Sequence, residues 1–120
     1  MDNKLHYIEQ DGRPVFKAAV TSMADVSYEI MERNGLTADD VSWLVPHQAN
    51  LRILESVRER LGATPEQVYI NVQNYGNTGS ASVPLALWEA RNLGRIAPGD
   101  LVLLTAFGAG FHWASMVVRF

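Results

Sequence analysis

Segments with helical spacing alternate along this chain with short apolar runs, and glycine or proline stands at most of the boundaries. Apolar residues that recur every three or four positions predict amphipathic helices. Three segments have this spacing, and they cover residues 14–34, 48–61 and 80–93. A glycine follows each segment, at Gly35, Gly62 and Gly94, and glycine is the residue at which helices most often end.

Short apolar runs rich in β-branched and aromatic residues predict strands between these helices. They cover residues 5–8, 41–45, 68–72, 101–106 and 113–119. Strands and helices that alternate are typical of parallel sheets, whereas the last two runs are joined only by a glycine turn at 108–110. The sequence therefore predicts one α/β domain over residues 1–120, with helices packed on a mixed, mainly parallel sheet.

Composition excludes several classes of protein. The 120 residues are 48% hydrophobic, which suits a single domain with a packed core, and the net charge of -3 argues against nucleic acid or an anionic membrane as the main partner. The absence of cysteine excludes disulfides, zinc–thiolate sites and a cysteine nucleophile within this chain. Because there is neither an apolar run of ~18 residues nor a secretory signal, we expect a soluble, cytoplasmic protein.

Ligands of open α/β sheets bind where strands end and helices begin, and His47 stands at such a junction. It follows the strand predicted over 41–45, so the backbone would hold it firmly while its ring faces a pocket. Imidazole titrates near neutral pH, and its neutral form can donate or accept a hydrogen bond. The alternative is a turn histidine that caps the following helix.

Two further junctions have unusual residues. Small residues over 75–82 would let a ligand approach the backbone, and Asn77 offers a neutral amide donor there; an ordinary loop and helix cap is the alternative. The glycines of 107–111 serve either a hairpin with positive φ angles or an oxyanion site of backbone N–H groups. The three histidines lack the spacing of metal ligands, so no metal site is predicted.

Taken together, Val45–Ile53, Tyr75–Thr78 and Phe107–Gly110 resemble the carboxyl-terminal half of β-ketoacyl-acyl-carrier-protein synthase III. The resemblance extends over about Leu5 to Phe120. It implies one half of the layered αβαβα thiolase-like fold, with the nucleophilic cysteine in the absent amino-terminal half. It also implies an acyltransferase of fatty-acid biosynthesis, which condenses an acyl-coenzyme A starter with malonyl-acyl-carrier protein and releases carbon dioxide.

The resemblance also implies which partners, substrates and cofactors to expect. Its partners would be the amino-terminal half, acyl-carrier protein, the acyl-coenzyme A and malonyl thioesters, and a second copy in a homodimer. Coenzyme A and phosphopantetheine arrive with the substrates, so no cofactor is expected. The chain alone would be inactive. Two alternatives stay open, which are a related polyketide or quinolone starter synthase and a non-catalytic module that binds carrier protein.

The same resemblance assigns roles to individual residues. His47 and Asn77 would donate hydrogen bonds to the malonyl thioester oxygen as negative charge develops there. The backbone N–H of Ala109 would help to form the acyl oxyanion hole. The remaining assignments are Phe16, Asn50 and Phe107 to the substrate tunnel, and Arg52 and Lys17 to the surface that receives the carrier protein.

Overall fold

A computed structural model describes residues Gly12–Phe120 of the chain. The strand predicted over 5–8 lies outside these described residues. The described helices are α1 (Gly12–Arg33), α2 (Leu51–Leu61), α3 (Val72–Tyr75) and α4 (Ser82–Asn92), and the strands are β1 (Trp43–Pro46), β2 (Leu101–Gly108) and β3 (His112–Arg119). Short 3-10 turns cover Ala38–Asp40, Pro65–Gln67 and Gly79–Ala81.

The three strands form one mixed sheet in the order β1-β2-β3, which confirms the predicted α/β class, although within residues 12–120 the antiparallel pairing is longer than the parallel one. β1 runs parallel to β2, with Trp43 opposite Val102 and Pro46 opposite Thr105. β2 and β3 pair antiparallel over their whole length, from Leu101 opposite Arg119 to Gly108 opposite His112. Parallel pairing therefore joins β1 to β2. The glycine turn at the end of β2 forms the antiparallel hairpin with β3 that the sequence predicted.

The prediction of a strand over residues 68–72 is wrong. Val68 forms one isolated parallel bridge with Leu44, and the N–H of Tyr69 donates to the carbonyl of Leu44 at 2.9 Å. The ladder stops there because the next backbone donors turn to a side chain: the N–H groups of Asn71 and Val72 donate to Oε1 of Gln48 at 2.9 and 3.1 Å. The chain then enters α3 instead of extending the sheet.

The sheet lies between two layers of helix. Successive residues of a strand point to opposite faces, so Leu44 and Leu103 pack against α1 and α2. Their neighbours Val45 and Val102 pack with Ala86 and Ala90 of α4 on the other face, in a second core. The central strand is therefore covered on both sides, which is why the strand sequences are continuously apolar rather than alternating.

Two helices begin later than their spacing predicted, whereas α1 begins earlier, at Gly12. α2 starts at Leu51 and not at 48, since Oδ1 of Asn50 accepts the N–H of Ile53 at 2.9 Å. α4 starts at Ser82, after the 3-10 turn of Gly79–Ala81. Both shifts leave a stretch of non-helical chain just after β1 and just before α4, and these stretches hold the residues of interest.

Candidate active site

His47 directly follows β1, and a backbone hydrogen bond fixes its place. Its N–H donates to the carbonyl of Thr105 in β2 at 2.7 Å, which continues the contact between the two strands one residue beyond the end of β1. The side chain is half-buried, and this burial lowers the pKa of His47 from its ordinary value. The imidazole is therefore held neutral near pH 7, with one N–H available as a donor.

The next residue, Gln48, joins His47 to the loop that carries Asn77. Its side chain is buried, and besides accepting from Asn71 and Val72 it donates through Nε2 to the carbonyls of Pro46 at 2.9 Å and Tyr69 at 3.1 Å. Its backbone N–H donates to Oγ of Ser82 at 2.5 Å. Both ends of the segment 71–82 are therefore bound to the residue beside His47.

Sequence reasoning missed Gln48. A polar residue between an apolar strand and a helix is a weak signal by itself, because exposed glutamine is common at such positions. Apart from Pro46, its partners lie 21–34 residues away along the chain, so no local pattern identifies them. A buried glutamine with its amide fully hydrogen-bonded is an organising residue rather than a chance polar one.

Asn77 lies exposed in the loop between α3 and α4, and one end of its amide is already occupied. Its Oδ1 accepts the N–H of Gly79 at 3.0 Å, so the Nδ2 end remains to donate to another group. Gly76, with φ 67° and ψ -162°, gives the loop a backbone shape that other residues rarely adopt. Gln48, the residue after His47, binds the backbone at the start of the segment that carries Asn77 and the side chain of Ser82 at its end.

The hairpin after β2 supplies the third predicted element. Residues 109–111 form the turn, and the positive φ angles belong to Gly110 (77°) and Phe111 (55°), so Ala109 keeps its N–H in ordinary backbone geometry. Phe111 is an aromatic residue in the left-handed region, which is unusual and costs free energy. Its ring lies 5.6 Å from that of Phe107, which is itself partly buried against the core on the α1 side.

The structure brings two of the other predicted residues into contact. The guanidinium of Arg52 lies over the ring of Phe16 at 5.6 Å from its centroid, a cation–π arrangement between α2 and α1. Lys17, next on α1, is exposed. Asn50 is exposed too, but its side-chain oxygen caps α2, which is an ordinary structural role for an asparagine just before a helix.

A surface depression of about 590 Å³ lies beside Tyr28, Met31 and Leu36 at the end of α1, and none of the predicted site residues lines it. Within residues 12–120, no group of three or more His, Asp or Glu side chains could hold a metal ion. No helix in that part of the chain is long and apolar enough to cross a membrane.

Comparison with known proteins shows the family of this chain. Residues 31–120 match the family model described as 3-oxoacyl-[acyl-carrier-protein] synthase III, C terminal. The chain belongs to this family. Over 119 residues it is 55% identical to the β-ketoacyl-[acyl-carrier-protein] synthase III of Chlorobium luteolum, a match that covers 99% of this chain and 36% of that protein.

Solved structures confirm the thiolase-like fold of this synthase III family member. The crystal structure of 3-oxoacyl-[acyl-carrier-protein] synthase III from Aquifex aeolicus superposes with a TM-score of 0.94 at 43% identity, covering 98% of this chain and 38% of that one. The priming β-ketosynthase of the R1128 polyketide pathway gives 0.88 at 38% identity, covering 93% and 34%. The chain thus spans little more than a third of these proteins, and identity favours synthase III over the polyketide alternative.

Proposed function

We propose that this chain is the carboxyl-terminal catalytic portion of a β-ketoacyl-acyl-carrier-protein synthase III. The complete enzyme condenses an acyl-coenzyme A starter with malonyl-acyl-carrier protein and initiates fatty-acid synthesis. The observation that supports the proposal is the Gln48 network, in which the residue after the neutral His47 binds both ends of the segment that carries Asn77. An imidazole and a carboxamide donor are suited to an oxygen that becomes negative.

The chemistry needs these two donors at one step. A cysteine of the amino-terminal portion first takes the starter acyl group from coenzyme A. The bond between the malonyl α-carbon and its carboxylate then breaks, carbon dioxide leaves, and the electron pair forms an enolate whose charge lies on the thioester oxygen. His47 and Asn77 donate to that oxygen. The enolate carbon attacks the acyl thioester, a carbon–carbon bond forms, and the cysteine thiolate leaves.

Other residues bind the substrates in this proposal. The N–H of Ala109 stabilises the oxyanion formed on the acyl thioester, which its ordinary backbone geometry permits. Phe16, Asn50 and Phe107 line the path of the pantetheine arm. Arg52 and Lys17, both exposed, attract the acidic carrier protein. No cofactor is required, because the thioesters bring coenzyme A and phosphopantetheine with them.

The remaining partners follow from the part of the enzyme that this chain represents. The amino-terminal portion supplies the cysteine that this sequence lacks, so the chain alone does not complete the reaction. We assign the complete enzyme to the cytoplasm and to a homodimer, in keeping with the family resemblance. A non-catalytic module that binds carrier protein would need no such portion, so activity that appears only with both portions together argues against it.

The test is a condensation assay on the complete synthase that carries this sequence. We expect His47→Ala and Asn77→Ala each to lower the rate by about 10²–10³, the usual loss for one oxyanion donor. Asn92→Ala, an exposed asparagine at the end of α4, is the matched control and should retain full activity. Full activity in either site variant contradicts the proposal, and a preference for malonyl-coenzyme A over malonyl-acyl-carrier protein favours the polyketide or quinolone alternative.

A further inference from the structure

Glu89 of α4 holds the segment that leads into the Asn77 loop. The hydroxyl of Tyr69 donates to Oε1 of Glu89 at 2.5 Å, a bond between residues 20 positions apart. Burial, with the hydrogen bond to Glu89, raises the pKa of Tyr69 to about 12, so the hydroxyl keeps its proton and remains a donor. The ring of Tyr69 packs edge-on against Trp43, at 6.2 Å between centroids, and is therefore held at both ends.

Two other side chains of the same segment act on this carboxylate at longer range than Tyr69. The carboxylate raises the pKa of the Tyr75 hydroxyl, and interactions with Tyr69, then Tyr75 and Asn71, lower the pKa of Glu89 itself. The Nδ2 of Asn71 is buried and forms no hydrogen bond within the part of the chain that the structure describes. An ionised carboxylate nearby offsets the cost of burying that donor.

Gln48 and Glu89 both act on the short stretch 69–75, Gln48 on the backbone of that stretch and Glu89 on its side chains. Gln48 binds the backbone of Asn71 and Val72, whereas Glu89 accepts from the hydroxyl of Tyr69, and Tyr75 and Asn71 also lower its pKa. Tyr75 is the last residue of α3, and only Gly76 stands between it and Asn77. Since glycine permits many backbone shapes, the place of the Asn77 amide depends on how firmly Tyr75 and the chain before it are held.

We propose that Glu89 is a positioning residue for the condensation: it fixes the segment Tyr69–Tyr75 and thereby aims the Nδ2 of Asn77. This inference rests on the proposed function, because the aim of Asn77 matters only if its amide meets the thioester oxygen. Glu89 itself touches neither substrate nor reacting atoms. Its contribution is geometric, and displacing a reacting group by about 1 Å can cost roughly 10² in rate.

A double-mutant cycle on the complete synthase tests this role. We expect Glu89→Gln to lower kcat for condensation by about 10- to 100-fold, with the transfer of the acyl group from coenzyme A to the cysteine unchanged, since that step does not use Asn77. In an Asn77→Ala background the same change should add less than about twofold, because the two residues then act as one unit. Losses that multiply in the double variant overturn the proposal.

Glu66→Gln is the matched control, because Glu66 is an exposed glutamate in the 3-10 turn of Pro65–Gln67, and it should leave every rate unchanged. A second variant, Tyr69→Phe, removes the donor and keeps the ring. It should lower condensation in the same direction as Glu89→Gln. Full condensation activity in both variants overturns the proposal.

Hydrogen exchange provides a readout that does not depend on activity. In Glu89→Gln, exchange should accelerate at least about tenfold at the N–H of Gly76, which donates to Val72 at 2.7 Å, and of Gly79, which donates to Asn77. The N–H of His47, bound to Thr105, should keep its protection. Uniform acceleration, or none, overturns the positioning role. If the synthase shows no condensation at all, the proposed function fails while the exchange pattern still decides whether Glu89 orders this loop.

Discussion

Burial of His47 determines which protonation state its imidazole has, and that state sets the pH dependence of the proposed reaction. Desolvation disfavours the cation and lowers the pKa below the ordinary 6.5. An imidazolium would still donate, but charging a half-buried group costs free energy in the folded state.

At this scale we predict that condensation keeps its rate as the pH falls to 6.5 and declines only as the pH passes the lowered pKa of His47. The direction of the pH dependence follows from the lowered pKa. Around pH 6.5 and just below it, the folded state binds fewer protons than the unfolded state, so acid both charges the imidazole and lowers the free energy of unfolding. An NMR titration of the His47 ring measures this directly. A midpoint above 6.5 would contradict the prediction.

At the scale of secondary-structure elements, Gln48 connects several parts of the described site. It satisfies two backbone donors and two backbone carbonyls with one buried amide, at the place where β1, α3 and α4 meet. Sequence periodicity predicted the three long helices, though not all their first residues, and the β2–β3 hairpin, because those depend on local spacing. It failed at 68–72, where Val68, Tyr69 and Ile70 have strand-like composition but the backbone beyond them bonds to Gln48.

We predict that Gln48→Leu lowers the free energy of unfolding by at least about 3 kcal/mol, because several buried polar groups lose their partners at about 1–3 kcal/mol each. Chemical denaturation measures the loss. Gln73→Ala is the control: Gln73 is exposed, its contact with the carbonyl of Ile70 is long at 3.4 Å, and the change should stay within about 0.5 kcal/mol. Equal effects of the two substitutions would refute the organising role of Gln48.

For the whole molecule, the chain exposes apolar side chains where a folded domain normally covers them. Trp113 and Met116 of β3 are 52% and 57% exposed, and Phe111 beside them is 51% exposed. Trp113 and Met116 point to opposite faces of β3, so apolar groups are uncovered on both sides of this strand, which is typical of a surface that other elements cover. The relatives are nearly three times as long as this chain, which agrees with a surface that other parts of the enzyme cover.

We therefore predict that the isolated chain self-associates, and that Trp113→Lys together with Met116→Lys reduces association by weakening the apolar contact. Sedimentation velocity over a range of concentrations measures it. Leu51→Lys, at an exposed leucine of α2, is a control that should change association less. A compact monomer at high concentration, before any substitution, would contradict the prediction.

The sequence by itself determined the three long helices, the β2–β3 hairpin and the family, and it predicted which residues suit the chemistry. Each of these depends on spacing or on a motif of a few consecutive residues, and such signals are local. Only the tertiary structure decided that residues 68–72 leave the sheet, that Gln48 binds both ends of the Asn77 segment, that Arg52 stacks on Phe16, and that Glu89 faces Tyr69. Those contacts join residues 20 or more positions apart, and their geometry is fixed by packing of the sheet between its helices rather than by any local preference.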